Sequence, residues 1–552
     1  MPVVLDRRGD RVVAVTVDDD AVELHRIDVA AADLIEWMRG HESREHPRWV
    51  WSDTTEWYPA LLGRGIRVER AVDLRLCRRI LRSAEAAAGS RLAAARRDAW
   101  DRAPIASAPD SGTTLFDLSA PAERSDPLDE LRLQTEAVAQ SAQRGVLALL
   151  LAAESVGALT AAEMSHAGLP WSASRHDEIL TDLLGARPVA GRPRRMEELV
   201  VRLRELLEAP DLDPDSPERL LRALQNAGLP ARSTRSWELK EIEHPVIAPL
   251  LEYKKMARVL TANGWNWVDT WVHEGRFRPV YVVGGVVTGR WASDGGGALQ
   301  LPHQVRGAVV ADPGWKLVVA DAAQLEPRVL AAMSGDAAMA RAGRAHDLYE
   351  GIVASGAVAD RSEAKYGMLG AIYGGTTGVS GRVLPRMRRA FPAAMALVED
   401  AARAGERGER VRTWLGRTSP AGRGEGYDET LTDEARARAR TDARSWGRFT
   451  RNFVVQGTAA EWAMCWMGAL RRRLWQLGEG APSIAPEPFA RRPHLAFFLH
   501  DEVVVHAPAE LADRVAEEIR SAAADAGRML FPAAPVEWAL TVAIVDSYDR
   551  AK

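Results

Sequence analysis

The stretch FFLHDEVVVH, residues 497–506, sets His500, Asp501 and Glu502 in the middle of an otherwise apolar strand pattern. Two runs rich in Phe and Val, split by three polar residues, read as a β-hairpin whose turn carries the carboxylates. A solvated turn would also explain an Asp at the bend. What decides between these readings is a second carboxylate placed the same way, and WKLVVADAAQLEPRVL, residues 315–330, supplies it: the apolar run stops at Asp321 and a helical pattern follows.

If the two strands lie side by side, their carboxylates converge and suit two divalent ions about 3.5–4 Å apart, an arrangement fitted to in-line phosphoryl transfer. Hard oxygen ligands favour Mg2+, for which Mn2+ can substitute. Two helical stripes add to this. In RSEAKYGMLGAIYGG, residues 361–375, Arg361, Lys365, Leu369 and Tyr373 recur every four residues and share one face. That stripe is either a solvated basic face or a triphosphate clamp. In RFTRNFVVQGTAAEWAM, residues 448–464, Arg448, Asn452 and Gln456 repeat at the same spacing. Long polar donors on one face suit the minor groove, where all base pairs offer acceptors at similar places. Arg290 in TGRWAS and Gln300 in ALQLP are further candidate donors.

The bulk numbers allow such chemistry without pointing to it. At 552 residues the chain has room for three to four domains at roughly 150 residues each. A hydrophobic content of 47%, a charged content of 27% and a net charge of −4 give no global basic signature, so nucleic-acid contacts have to come from local patches. Cys77 and Cys465 are the only cysteines, which excludes a disulfide framework and a thiolate zinc cluster and fits a reducing cytoplasm. No signal-peptide pattern and no uninterrupted apolar run of about 18 residues stand out, so a soluble, intracellular protein is expected. Of 72 basic residues only six are lysines, leaving 66 arginines. Each Lys is therefore informative, since a Lys can titrate where an Arg cannot.

Along the chain, residues 1 to about 100 mix strand patterns (RVVAVTV, RWVWS) with helical ones (AADLIEWMRG, DLRLCRRILRSAEAAAG), suggesting a small α/β unit. Residues 103–127, rich in Pro, Ser and Ala, read as a linker or long loop. From 128 to 260 the pattern is helical, with Ser216 and Gly228 as start and stop signals. No internal repeat is visible.

These motifs resemble those of the family A DNA polymerases, the group of bacterial DNA polymerase I. VVADAAQLEPRVLAAMSGD is similar to that family's first palm motif, RSEAKYGMLGAIYGG to its fingers helix and FLHDEVVVHAP to its second palm motif. TGRWAS, QGTAAEWAM and LLEYKKMARVL match in order and spacing, and the similarity spans roughly residues 205 to 552. The resemblance implies a mixed α/β, right-hand fold preceded by a small ribonuclease H-like unit. That unit would be a degenerate 3′-5′ exonuclease-like domain at 1–110, followed by a linker and helical connection at 111–200. The thumb would be 201–285, the palm 286–335 and 441–552, and the fingers 336–440.

The resemblance also implies roles. Asp321 and Asp501 would ligate two Mg2+ ions with help from the Ala322 carbonyl, and Glu502 would lie close to the primer end. Arg361 and Lys365 would hold the triphosphate, with Lys365 protonating the leaving pyrophosphate. Tyr373 would pack beside the template base, and Glu326 would crowd the ribose 2′ position, with Gln324, Leu369 and His500 around the nucleotide. Arg290, Gln300, Arg328, Arg448, Asn452 and Gln456 would touch DNA. The expected partners are primer-template DNA and deoxynucleoside triphosphates, for a monomer in the cytoplasm, associated with the nucleoid, in replication or repair.

The sequence departs from the family in four places. Ala322 and Ala323 replace Tyr-Ser after the metal-binding Asp, Leu369 replaces an aromatic residue, and the segment after Tyr373 is short. YPALLGRGIRVERAVDLRLCRRILRSA, residues 58–84, resembles the proofreading domain, yet residues 1–200 contain neither its Asp-x-Glu nor its Tyr-x3-Asp pattern. Asp73 alone stands in a plausible place, so absence of proofreading is expected. No resemblance to a 5′ nuclease domain is found. Two other readings compete: a gap-filling synthase with relaxed sugar selection, and a non-catalytic primer-template binding protein. Retention of Asp321, Asp501, Arg361 and Lys365 weighs against the second.

Overall fold

In the computed structural model, which describes residues 1–101, 126–344, 346–375, 377–422 and 432–551, the described residues build two larger sheets, of five and four strands, and two small ones, joined by long helices. Most of the expected linker at 103–127 lies outside the described residues.

The N-terminal sheet holds β1 (Pro2–Arg8), β2 (Arg11–Val17), β3 (Glu23–Ala30), β4 (Arg48–Trp51) and β5 (Arg70–Asp73) in the order β3-β2-β1-β4-β5. β1, β2 and β3 pair antiparallel; β1, β4 and β5 pair parallel. Period-2 alternation sorts its side chains to two faces. Val3, Leu5, Val12, Ala14, Trp49 and Trp51 enter one core, while Val4, Val13, Val15, Val17 and Val50 enter another. Between the strands run α1 (Leu34–Glu45) and α2 (Thr54–Leu62), and α3 (Leu74–Ser83) follows β5.

The expected helical connection is a core element. The 24-residue α4 (Arg144–Ala167) is long and apolar enough to cross a membrane by length and composition, yet it is spent inside the fold. Leu147, Leu150 and Met164 join the main core, and Leu159 and Ala167 join the core under the N-terminal sheet. Burial of those side chains, each contributing about 1.5–3 kcal/mol, makes α4 a shared spine between the two ends of the chain. Ser216 and Gly228 act as expected around α5 (Pro217–Asn226): the Ser216 hydroxyl accepts from the Arg219 amide, and Gly228 sits at φ +77°.

The C-terminal sheet comprises β6 (Trp315–Ala322), β7 (His494–Leu499), β8 (Glu502–Pro508) and β9 (Leu540–Val545) in the antiparallel order β7-β8-β6-β9. β6, β7 and β8 are almost continuously buried because helices cover them, whereas the edge strand β9 is mostly half-buried or exposed. After β6 come α6 (Leu325–Ser334), α7 (Arg361–Tyr373), α8 (Gly378–Ala390) and α9 (Pro392–Glu406); α10 (Asp433–Gln476) and α11 (Ala512–Leu530) flank the last strands. The sequence-derived boundary at 440/441 falls inside α10, one unbroken helix of 44 residues. Its 433–447 segment, rich in Ala and Arg, holds no Pro and no Gly before Gly447, so nothing stops the helix there.

Candidate active site

The register of β6 against β8 places Asp321 opposite Glu502, one residue from Asp501. The turn between β7 and β8 is the two residues His500 and Asp501, with His500 in the left-handed region at φ +61°. The Ala322 amide donates to the Asp501 carbonyl at 2.9 Å, tying the turn to the end of β6. Strand pairing thus delivers the convergence expected from the two apolar runs. Burial, and then the neighbouring Asp321 charge, pushes the Asp501 carboxyl up to about 7, while Arg290 opposes the rise. Two crowded carboxylates of this kind call for a cation. No cluster of three or more His, Cys, Asp or Glu side chains suited to a metal occurs among the described residues. The side chains here therefore supply two oxygen ligands, a donor set that fits Mg2+, which takes its remaining ligands from water and phosphate.

Above the carboxylates lies a cavity of about 280 Å3. Arg290, Gln324, Glu326, Leu369, Tyr373, His500 and Asp501, all singled out from sequence, line it together. Asp360 caps α7 by accepting from the Glu363 amide, and Gly374, at φ +76°, ends it. A side chain on Gly374 would meet Arg448 Cγ at 2.8 Å, so glycine lets α7 and α10 approach. The Tyr373 hydroxyl donates to both Glu326 oxygens at 3.0 and 2.8 Å, Gln456 bonds to Tyr373, and Arg290 Nη2 reaches Glu326 Oε1 at 2.5 Å. Lys365 and Arg361 stand exposed one and two turns before Leu369, with Arg361 Nε 2.8 Å from Asp347. Arg448 is exposed, and Asn452 and Gln456 are half-buried, on α10. Burial and then Arg290 lower the His500 ring, favouring its neutral form.

Three expected residues stand elsewhere. Arg328 is not available to DNA: it is 1% exposed and donates to the carbonyls of Ala323, Gly343, Glu537 and His346. Four carbonyls from three segments converge on one planar fork, which makes it a fastener of the fold. Glu502 is not at an open primer site either: it is 3% exposed, accepts from the Tyr548 hydroxyl and lies 3.4 Å from Arg306. Gln300 is exposed on a short turn and does not line the cavity.

Sequence reasoning missed the apolar wall. Ala459, Ala460, Ala463, Met464 and Met467 of α10 face the cavity together with Trp291. Small residues at spacings of three and four were the available signal. It also missed Asp53, which lies near Asp73 where β4 and β5 end. Burial and then Asp53 push the Asp73 carboxyl up to about 6. Both carboxylates are occupied: Asp53 caps α2 through the Thr55 amide, and Asp73 accepts from the Thr54 and Leu76 amides.

The family model of DNA polymerase family A matches residues 193–545. The thermostable DNA polymerase I of Thermus thermophilus is 29% identical over 361 residues, which is 58% of this chain and 40% of that protein. DNA polymerase I of Chloroflexus aurantiacus is 26% identical over 326 residues, covering 51% of this chain and 30% of its own length. The chain thus spans about two-fifths or less of these relatives. The POL domain of Pol1 from M. smegmatis, solved in complex with DNA primer-template and dNTP, matches with a TM-score of 0.68 at 18% identity, covering 100% of this chain and 95% of that one. At that identity the match establishes the fold.

Proposed function

The chain belongs to DNA polymerase family A, and on that premise we propose that it extends a primer 3′ end with deoxynucleotides selected by a template strand. The observation that carries this reading is the meeting of Asp321 and Asp501 at adjoining strand ends, beneath a cavity walled by α7 and α10. These two carboxylates would hold two Mg2+ ions with the Ala322 carbonyl. Bound there, the ions would neutralise charge developing on the transferred phosphoryl group and its leaving oxygen.

The protein's own residues do the rest. Arg361 and Lys365, exposed on the face of α7 that leads to the cavity, grip the triphosphate, and Lys365 passes a proton to the departing pyrophosphate. Glu326, held by Tyr373 and Arg290, narrows the space at the ribose 2′ position. Tyr373 stacks near the templating base; Arg448, Asn452 and Gln456 follow the minor groove of the new base pair. In this reading α7, α8 and α9 belong to the fingers, the C-terminal sheet to the palm and the helices between 201 and 285 to the thumb. The N-terminal unit is a proofreading domain that has lost its nuclease, because Asp53 and Asp73 serve as helix caps and no third carboxylate joins them among the described residues.

The test is single-nucleotide primer extension with Mg2+ against each of the four template bases. Addition of the complementary deoxynucleotide alone supports the reading; no addition, or addition indifferent to the template, defeats it. Degradation of 3′ ends that survives mutation of Asp321 and Asp501 would contradict the loss of proofreading. A second reading, relaxed sugar selection, draws on Leu369, which lines the cavity where an aromatic ring is expected. Comparing ribonucleotide with deoxynucleotide incorporation separates the two.

A further inference from the structure

Behind the cavity lies a buried cluster of charges that nucleotide binding does not use. It is built around Glu461 of α10, which at 100° per residue points about 130° away from the wall formed by Ala459, Ala460, Ala463, Met464 and Met467. The loop 411–419 folds back on itself here: the Arg417 amide donates to the Thr413 hydroxyl and the Thr413 amide to the Arg417 carbonyl, both at 2.9 Å. Glu461 holds that loop, accepting from the Leu415 amide at 2.9 Å and from the Thr413 hydroxyl. The Arg417 guanidinium pairs with Glu154 of α4. Arg417, Glu154 and Glu461 are 8%, 1% and 0% exposed, so all three charges belong to the interior. Burial pushes the Glu461 carboxyl up to about 7, against its bonds from Thr413 and Leu415 and the Arg417 charge. Burial also lowers Arg417 to about 10, against the Glu461 charge.

What Arg417 touches gives the cluster its meaning. Two short strands, Tyr281–Val282 and Ala292–Ser293, pair antiparallel and carry a turn between them. In that turn the Gly289 amide donates to the Val286 carbonyl at 2.8 Å and the Val286 amide to the Arg290 carbonyl at 3.1 Å. Gly289 stands at φ +88°, and a side chain there would meet Arg417 Nε at 2.5 Å and Cζ at 2.8 Å, so the guanidinium lies directly on the backbone of the turn. α10 braces the same turn: a side chain on Gly457 would meet the Thr288 carbonyl at 3.0 Å and would also run into Thr413. The next residue after Gly289 is Arg290, which lines the cavity, reaches Glu326 at 2.5 Å and opposes the rise of the Asp501 carboxyl.

We propose that Arg417 is a positioning residue for sugar selection: seated between Glu154 and Glu461, it fixes the Gly289 turn and so holds Arg290 on Glu326. This role rests on the polymerase reading above, which puts Glu326 at the ribose 2′ position. An apolar side chain would fill the same space with no charge to desolvate. What a guanidinium adds is a rigid, planar fork, and here carboxylates from the two longest helices, α4 and α10, set its plane. Glu326 keeps its bonds from Tyr373 when the turn loosens. Loss of Arg417 therefore slackens the gate beside the sugar and leaves Arg361 and Lys365 free to hold the triphosphate.

The experiment measures kcat/KM for adding a deoxynucleotide and the matching ribonucleotide to one primer-template with Mg2+, in wild type, R417M/E154Q, R290A and the combination of all three substitutions. E154Q accompanies R417M so that no ionised Glu154 is left unpaired in the interior, and Glu461 can take up a proton. In R417M/E154Q the ratio of deoxynucleotide to ribonucleotide kcat/KM should fall on the order of tenfold, the scale for losing one charge-assisted bond. R290A should lower it as much, and the combination should lower it no further, because Arg417 acts through Arg290. An unchanged ratio overturns the proposal, as does an equal loss for both sugars, the mark of a merely structural role, or two losses that add. R417K keeps the charge that the carboxylates require and gives up the flat contact with Gly289; if it folds where R417M/E154Q does not, the same comparison is made on it with the same outcomes. A wild type that adds no deoxynucleotide defeats the polymerase reading and this role with it, whereas a working wild type whose ratio survives in the variants defeats this role alone.

Discussion

Replacing Glu163 by Gln should unseat the N-terminal unit from the catalytic body. Glu163 stands on α4 and faces two arginines: Arg471 of α10 bonds it through Nε at 2.8 Å and Nη2 at 2.6 Å, and Arg67 lies at 3.3 Å. The Tyr58 hydroxyl of α2 donates to it at 2.5 Å. Burial pushes the Glu163 carboxyl up, but Arg471 and Arg67 outweigh that and hold it below its usual range. The Arg67 and Arg471 side chains are only 5% and 4% exposed. Glu163→Gln preserves the shape and leaves both guanidinia buried without a counter-charge, a loss of about 3–5 kcal/mol. With an m-value near 3 kcal/mol/M, the urea midpoint should fall by about 1–1.7 M, read by circular dichroism. Adding Arg471→Met removes one stranded charge, so the double variant should recover about 2 kcal/mol relative to the sum of the singles. A midpoint shift below about 0.3 M, or strict additivity, would refute the reasoning. Because α10 also walls the cavity, Glu163→Gln should raise KM for nucleotide more than it lowers DNA affinity.

Three further outcomes follow from named contacts. Arg328→Met should cost about 3 kcal/mol or more, since it strands buried carbonyls, yet leave the salt dependence of DNA binding unchanged; a reduced salt slope would restore Arg328 to the DNA. Acid should weaken the fold: unfolded His494 and His176 protonate near 6.5, while burial keeps the folded rings neutral down to about 4. Stability is therefore lost as pH falls from 6.5 toward 4, by up to about 3 kcal/mol for each ring, and urea melts of His494→Phe between pH 7.5 and 4.5 should show a flatter decline than wild type. Leu369→Phe should lower ribonucleotide incorporation relative to deoxynucleotide on the order of tenfold, the scale for a change in pocket filling; an unchanged ratio would remove Leu369 from sugar selection.

The parts of the fold legible from sequence were those written in local periodicity. β6 and β8 announced themselves as apolar runs meeting carboxylates, and α7 as a four-residue repeat. Antiparallel pairing of β6 with β8 then brought Asp321 beside Asp501. What local pattern could not carry was the destination of long polar side chains. Arg328 sits in the same motif as Glu326, but its four carbonyl partners come from segments up to 209 residues away. Glu502 is adjacent to Asp501, and only the tertiary positions of Arg306 and Tyr548 turn it into an interior charge. Asp53, which the sequence reading passed over, is a helix cap; its nearness to Asp73 depends on parallel pairing of β4 with β5 across 18 intervening residues. The boundary at 440/441 falls within one helix for a different reason: domain labels follow function, whereas α10 continues because its residues favour helix.

The most direct test of the central claim is single-turnover nucleotide addition by Asp321→Asn and Asp501→Asn, measured beside their affinity for the same primer-template. Each substitution keeps the side-chain volume and removes one anionic ligand. If Asp321 and Asp501 hold the ions for phosphoryl transfer, addition should fall by about a thousandfold, as for loss of a principal electrostatic group, while the DNA dissociation constant stays within about threefold. Templated addition at near wild-type rates in either variant would contradict the account.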